Sequence, residues 1–360
     1  MEEKLTQWME RLSHAFGAPG FEEDVVGVLK EWAGDAYESE EDAMHNLRLY
    51  PKGPRPDRTV MLEAHLDEVG FMIQSIQENG TLSFLPLGDW HAQNIPAHRV
   101  RIRTRRGDIP GVIATKPPHF MAKEERERLI PLSDMVIDVG ATSRQEALDI
   151  YGVRPGDPVV PEARFEINKQ GIMLGKAFDC RLGCAAVIAT MERLRDRSLP
   201  FSFAGAFSAQ EEVGARGAKV NVDMIKPAAA IVFEGTPADD TFTDSGIAQG
   251  AMGRGPQIRC LDRLTIGHKG LIDLAVDLAV KHQIPYQLAV RAGGGTDAGV
   301  IQTGAGVVPT LILGVPVRYA HSHHGFARLD DLIHVIRLAE LVILHLNEKN
   351  CVLGPSKIDH

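Results

Sequence analysis

Four apolar, strand-like runs in this chain each stop on residues that can hold a divalent cation. TVML runs into Glu63–His65, FSFAGAF into Gln210–Glu212, AAAIVF into Glu234, and VVPTLILGVPV into Arg318–His321. In an open α/β sheet the strand ends form the crevice in which ligands bind. The pattern therefore selects folds that bring distant strand ends to one place. A fifth segment, KAFDCRLG, offers Asp179 just ahead of a long amphipathic stretch. His65, Asp179, Glu212, Glu234 and His321 make a mixed nitrogen–oxygen donor set suited to Zn²⁺, Co²⁺ or Mn²⁺ and divisible between two ions.

Each segment also has an ordinary reading. His65 and Asp67 lie two apart on one face of a strand end. A metal-bound histidine commonly donates its other ring N–H to a carboxylate, which makes Asp67 a candidate orienter. In QEEVG two adjacent carboxylates follow a buried strand and repel unless a cation or a proton intervenes. That suggests Glu212 as a ligand and Glu211 as an unligated acceptor for a water proton. A solvated helix N-terminus would also tolerate both. Asp179, taken alone, reads as a helix N-cap, and Glu234 as a turn residue before Gly235. HSHH supplies three imidazoles, of which His321 ends the strand. His323 shares its face if the strand continues, as a second ligand or a substrate contact. GGGTDAG reads as a flexible turn with Thr296 or Asp297 capping a helix, and it lacks the GK[ST] of a phosphate loop.

The texture of the chain divides it. Helical patterns at about 5–16 and 22–32 are split by GAPG. From residue 70, short alternating segments separated by Asn-Gly, Gly-Asp and Pro-rich turns replace the earlier pattern, and helix–strand alternation returns near 165. We therefore expect an α/β catalytic domain with a mixed sheet, residues 1–69 and 164–360, interrupted by a β-barrel-like module at 70–163 that serves oligomerisation. Within that module RVRIRTRRG reads as a solvated alternating strand and MAKEERERL as an exposed segment. A net charge of −9 argues against nucleic acid or an anionic membrane as partner. No apolar run approaches the roughly 20 residues of a membrane span. The cysteines, Cys180, Cys184, Cys260 and Cys351, show no disulfide spacing and no signal peptide opens the chain, so reduced thiols and a cytoplasmic location are expected. Cys180 and Cys184, soft ligands among carboxylates, read as buried packing.

Taken in order, HLDEVGFMI, FDCRLGCA, QEEVGARGA, FEGTPA, GGTDAG and RYAHS resemble the M42 family of metallo-aminopeptidases. The resemblance covers nearly the whole chain. It implies a dinuclear metal-dependent aminopeptidase acting on short or unfolded peptides, with His65, Asp179 and Glu234 on one ion and Asp179, Glu212 and His321 on the other. Asp179 would bridge, Glu211 would be the general base, and Asp67 would orient His65. It also implies a homododecamer built from dimers. Three departures bear on substrate preference: Glu234 where Asp is common, HSHHG after the last strand, and AFDCR around the bridging position. The rival reading is a metal-dependent amidohydrolase that removes the acyl group from N-acyl-amino acids. A non-catalytic interaction protein would have lost a ligand or the base, and this chain has lost neither.

Overall fold

The four runs that end on candidate ligands form the centre of one sheet. The computed structural model describes residues 2–54 and 56–346. Cys351 lies outside the described residues. The sheet has eight strands, in the order Tyr37–Glu41, Leu47–Pro51, Ser202–Ser208, Thr59–His65, Ala229–Pro237, Thr310–Val317, Gln257–Leu261 and Gln287–Val290. Its third to sixth strands pair in parallel, so their C-terminal ends leave the sheet on one edge. Register is tight there: Ser208 lies beside His65, and Glu234 beside Gly314. Ser202–Ser208 and Thr310–Val317 are buried along their whole length, as parallel strands covered on both faces must be.

Helices cover both faces. Leu62, Ile231, Phe233, Leu311 and Leu313 pack with the helices Glu2–His14, Glu23–Ala33, Phe178–Leu194, Lys269–Lys281 and Leu329–His345. The alternate residues Met61, Ala206, Ala230, Val232 and Ile312 pack with Arg216–Ile225 and Ala298–Ile301. The strand period of two thus builds two cores from one set of strands.

Between residues 70 and 161 six strands close into a barrel, in the order Gly70–Ile76, Leu82–Leu87, Val136–Asp138, Gly107–Ala114, Arg99–Thr104 and Pro158–Pro161. It has its own core, centred on Phe71, Ile73, Leu82, Val100, Ile102, Ile113 and Ile137. The basic run alternates as its spacing predicts, with Val100 and Ile102 inward. Of its arginines Arg99, Arg105 and Arg106 are exposed, while Arg101 and Arg103 are docked. Arg103 bonds Asp24 at 2.7 Å, Arg101 bonds the His14 carbonyl at 2.8 Å, and both guanidinium groups lie over the Phe16 ring. These contacts tie the barrel to the start of the chain. MAKEERERL contributes a short exposed helix, Lys123–Glu127.

Candidate metal centre

The strand-end edge gathers all five candidate ligands. His65 Nε2 lies 3.1 Å from Asp179 Oδ1 and 3.8 Å from Glu234 Oε2. His321 Nε2 lies 3.4 Å from Asp179 Oδ2 and 3.5 Å from Glu212 Oε2. Asp179 therefore faces one imidazole with each carboxylate oxygen. Its backbone explains why a helical cap is not its role. Ala177 is left-handed, and Asp179 and Cys180 are non-helical, so the regular helix begins after them and the Asp179 carboxylate turns toward the sheet edge. Left-handed residues recur around the edge at Gln210, Ala215, Tyr319 and His321. Such sparsely populated conformations persist where the surrounding structure over-determines them.

Burial and charge fit this donor set to cations. Burial lifts Glu212 to about 7 and Glu234 to about 8, and raises Glu211 well above the usual carboxylate range. Asp179 moves the other way. Burial pushes it up, but the hydrogen bonds of His321 and His65 outweigh that and hold it below its ordinary value. Burial opposes charge on His321, yet Asp179 and Glu212 raise it to about 10. Excess negative charge is thus being met with protons, and divalent cations relieve the same repulsion. Glu212 Oε1 and His65 Nδ1 are buried with no hydrogen-bond partner among the described residues. Cys180 Sγ also comes within ligand reach of His65, Asp179 and Glu234. Burial pushes its thiol up, and it donates to the Phe233 carbonyl at 3.1 Å.

Glu211 also comes within ligand reach of His65, together with Glu212. Asp67, fully buried, accepts the backbone N–H of Glu211 at 2.9 Å and of Glu212 at 3.0 Å. Its contact with His65 Nδ1 is longer, 3.5 Å, and does not make a hydrogen bond. In this arrangement Asp67 holds the Glu211–Glu212 turn more firmly than it holds His65. His323 lies close behind His321 but turns away from the ligands into a stack with His98.

Several residues around the centre have contacts that no sequence pattern signals. Glu63 and Asp297 form a fully buried carboxyl pair in which Asp297 is raised well above its ordinary value by burial and by Glu63. The capping role falls instead to Thr296, which accepts the Ala298 N–H at 3.3 Å. A buried cluster of Glu68, Lys176 and Arg181 lies below the centre. Lys176 bonds Glu68, and Arg181 donates to the Leu66 and Leu12 carbonyls at 2.8 and 2.7 Å. The ligands open on a cavity of about 860 Å³ whose far wall includes Arg259, Arg263 and Arg291. Gly314 makes room for this wall, since a Cβ there would fall 2.6 Å from Thr236. Thr236 donates to Gln257 at 2.7 Å and accepts from Arg259, which fixes a guanidinium two residues along the strand from Glu234.

A mixed α/β sheet, helices on both faces, clustered carboxylates and imidazoles at the strand ends, and an inserted barrel define a hydrolase of the dinuclear metallopeptidase fold. The chain belongs to the M42 glutamyl aminopeptidase family, whose sequence profile matches residues 46–338. It is 32% identical over 350 residues to the glutamyl aminopeptidase of Lactococcus lactis subsp. cremoris, covering 96% of this chain and 97% of that one. A crystal structure of a TET aminopeptidase from a marine sediment Thaumarchaeota archaeon superposes with a TM-score of 0.92 at 36% identity, covering 97% and 98% of the two chains. The Pyrococcus horikoshii TET1 peptidase, described as able to assemble into a tetrahedron or a large octahedral shell, matches with a TM-score of 0.85 at 30% identity, over 95% and 100%. The chain is therefore an aminopeptidase of a metal-dependent family. No helix among the described residues is long and apolar enough to cross a membrane.

Proposed function

We propose that this protein is a two-metal aminopeptidase that removes the first residue from short or unfolded peptides in the cytoplasm. His65, Asp179 and Glu234 would hold one ion, and Asp179, Glu212 and His321 the other. The observation that supports this best is the convergence of the five donors and a further carboxylate, Glu211, at the edge of a large cavity. Zn²⁺ or Co²⁺ suits the mixed imidazole–carboxylate set best, and Mn²⁺ is compatible with it. Bound there, divalent cations supply Lewis-acid polarisation of the scissile carbonyl and a more acidic water. Glu211, with its raised proton affinity, accepts the proton of the attacking water and delivers it to the departing amine. Asp67 keeps that carboxylate in place through the amides of residues 211 and 212.

The cavity wall also bears on the substrate. Arg263 is exposed, Arg259 is anchored on Thr236, and Arg291 donates to the Pro237 carbonyl at 3.2 Å and lies 3.3 Å from Asp239. Arg259 also lies 3.4 Å from Asp262, so the exposed Arg263 is the guanidinium that favours a peptide whose first side chain carries a carboxylate. Assembly into a closed homo-oligomer, a dodecamer built from dimers, would follow the tetrahedral assembly described for the TET1 peptidase.

One assay tests both points. Metal-loaded protein is given matched peptides that begin with Glu, Leu or Lys, together with the acetylated amino acids. Release of free first residues, fastest for Glu, is expected. Release of acetate without peptide cleavage would replace this reading by the amidohydrolase one.

A further inference from the structure

The barrel touches the metal centre through the short segment that follows strand Leu82–Leu87. Gly88, at φ +86°, lies so close that a Cβ there would fall 3.3 Å from Glu212 Cβ and Oε2 and 2.7 Å from Val69. The next carbonyl, that of Asp89, accepts a hydrogen bond from His321 Nδ1 at 2.9 Å. Placing the imidazole proton on Nδ1 leaves Nε2, which faces Asp179 and Glu212, with its lone pair free for a ligand role. Trp90 follows. Its Nε1 donates to the Gly70 carbonyl at 3.1 Å, and its ring stacks on Phe71 of the barrel core at 4.7 Å.

The opposite side of this joint is the loop that carries His321. Two residues on, His323 is 1% exposed and lies between two barrel rings, 4.1 Å from His98 and 5.3 Å from Trp90 by ring centroids. Neither of its ring nitrogens has a hydrogen-bond partner among the described residues, so its role here is shape and stacking. The backbone between is left-handed at Tyr319 and His321, and such a bend needs an anchor on its far side. His65 and Glu234 are supported differently, being set on central strands by parallel pairing.

We infer that the barrel builds one half of the metal centre: Gly88, the Asp89 carbonyl and the Trp90–His323–His98 stack position Glu212 and His321. This rests on the two-ion assignment proposed above. The ion shared by His65 and Glu234 takes its support from the sheet. The ion shared by Glu212 and His321 takes its support across the joint between sheet and barrel. His323 and Trp90 are accordingly positioning residues, and their effect falls on one ion more than on the other.

The test is a calorimetric titration of chelator-stripped protein with Co²⁺ alone, with the visible spectrum recorded at each step. In His323→Ala one of the two binding steps is expected to weaken by about 10- to 100-fold, the usual effect of losing an outer support to a ligand. The other step should stay within about twofold of the parent protein on the same scale. His323→Phe, which keeps a buried planar ring, should restore the weakened step. Gly88→Ala, which crowds Val69 and Glu212 and strains the left-handed turn leading to Asp89, should weaken the same step and serves if His323→Ala does not fold. Equal weakening of both steps, no weakening of either, or an alanine-like His323→Phe would overturn the inference. A parent protein that binds no Co²⁺ would instead overturn the two-metal reading itself.

Discussion

Asp179 is the side chain on which the centre turns, because it is within reach of both imidazoles and opposes a different one with each oxygen. Asp179→Ala should therefore lose more metal than His321→Ala, and its melting temperature should fall further as the remaining carboxylates lose their compensating charge. Elemental analysis after gel filtration checks the first point and calorimetry the second; equal metal loss in the two variants would argue against a shared ligand. Four of the five candidate ligands could be picked out because each ends an apolar run, and Glu211 because it adjoins Glu212. Asp179 was legible only in company. Its own segment reads as a helix cap, and nothing local signals the non-helical backbone that turns it toward the sheet. The grip of Asp67 on the amides of Glu211 and Glu212, and the pairing of Glu63 with Asp297, join segments more than 140 residues apart by subtraction of their numbers, so no local pattern encodes them.

Among the elements, the strand–helix junction that carries Asp179 is braced from below by the Glu68, Lys176 and Arg181 cluster. Burial pushes the Lys176 ammonium down to about 8, although Glu68 favours its charge, against 10.5 for an unburied lysine. Between those values the unfolded chain holds more protons than the folded one. The contribution of Lys176 to stability should therefore grow as pH rises from about 8 to 10.5. Lys176→Met should remove that rise, on the order of 3 kcal/mol across the window. Denaturant midpoints for the two proteins at pH 7.5 and 10 check this, and parallel pH dependence would contradict it. The central strands were plain from their unbroken apolar runs, and the inserted β-module from its alternation and turns. Gln257–Leu261 and Gln287–Val290 were not. They are short, and Gln257 and Arg259 are polar because they face Thr236 and the cavity rather than an apolar core.

At the scale of the whole molecule, a barrel carried on a complete sheet domain gives the chain a second surface with which to meet its own copies. We expect a native mass near twelve times 39.4 kDa, with dimers as the next species. Light scattering at micromolar protein with metal present checks this, and a monomer mass would contradict the assembly. The expectation of assembly comes only through resemblance, since composition and periodicity do not encode which surfaces self-associate. The measurement that bears most directly on the central reading is turnover by Glu211→Gln alongside its metal content. The substitution removes the proton acceptor and spares every proposed ligand. Two ions per subunit, with peptide hydrolysis reduced by at least about 10²–10⁴-fold, is the predicted result. Two ions with near-normal hydrolysis would contradict the assignment of Glu211 as the base.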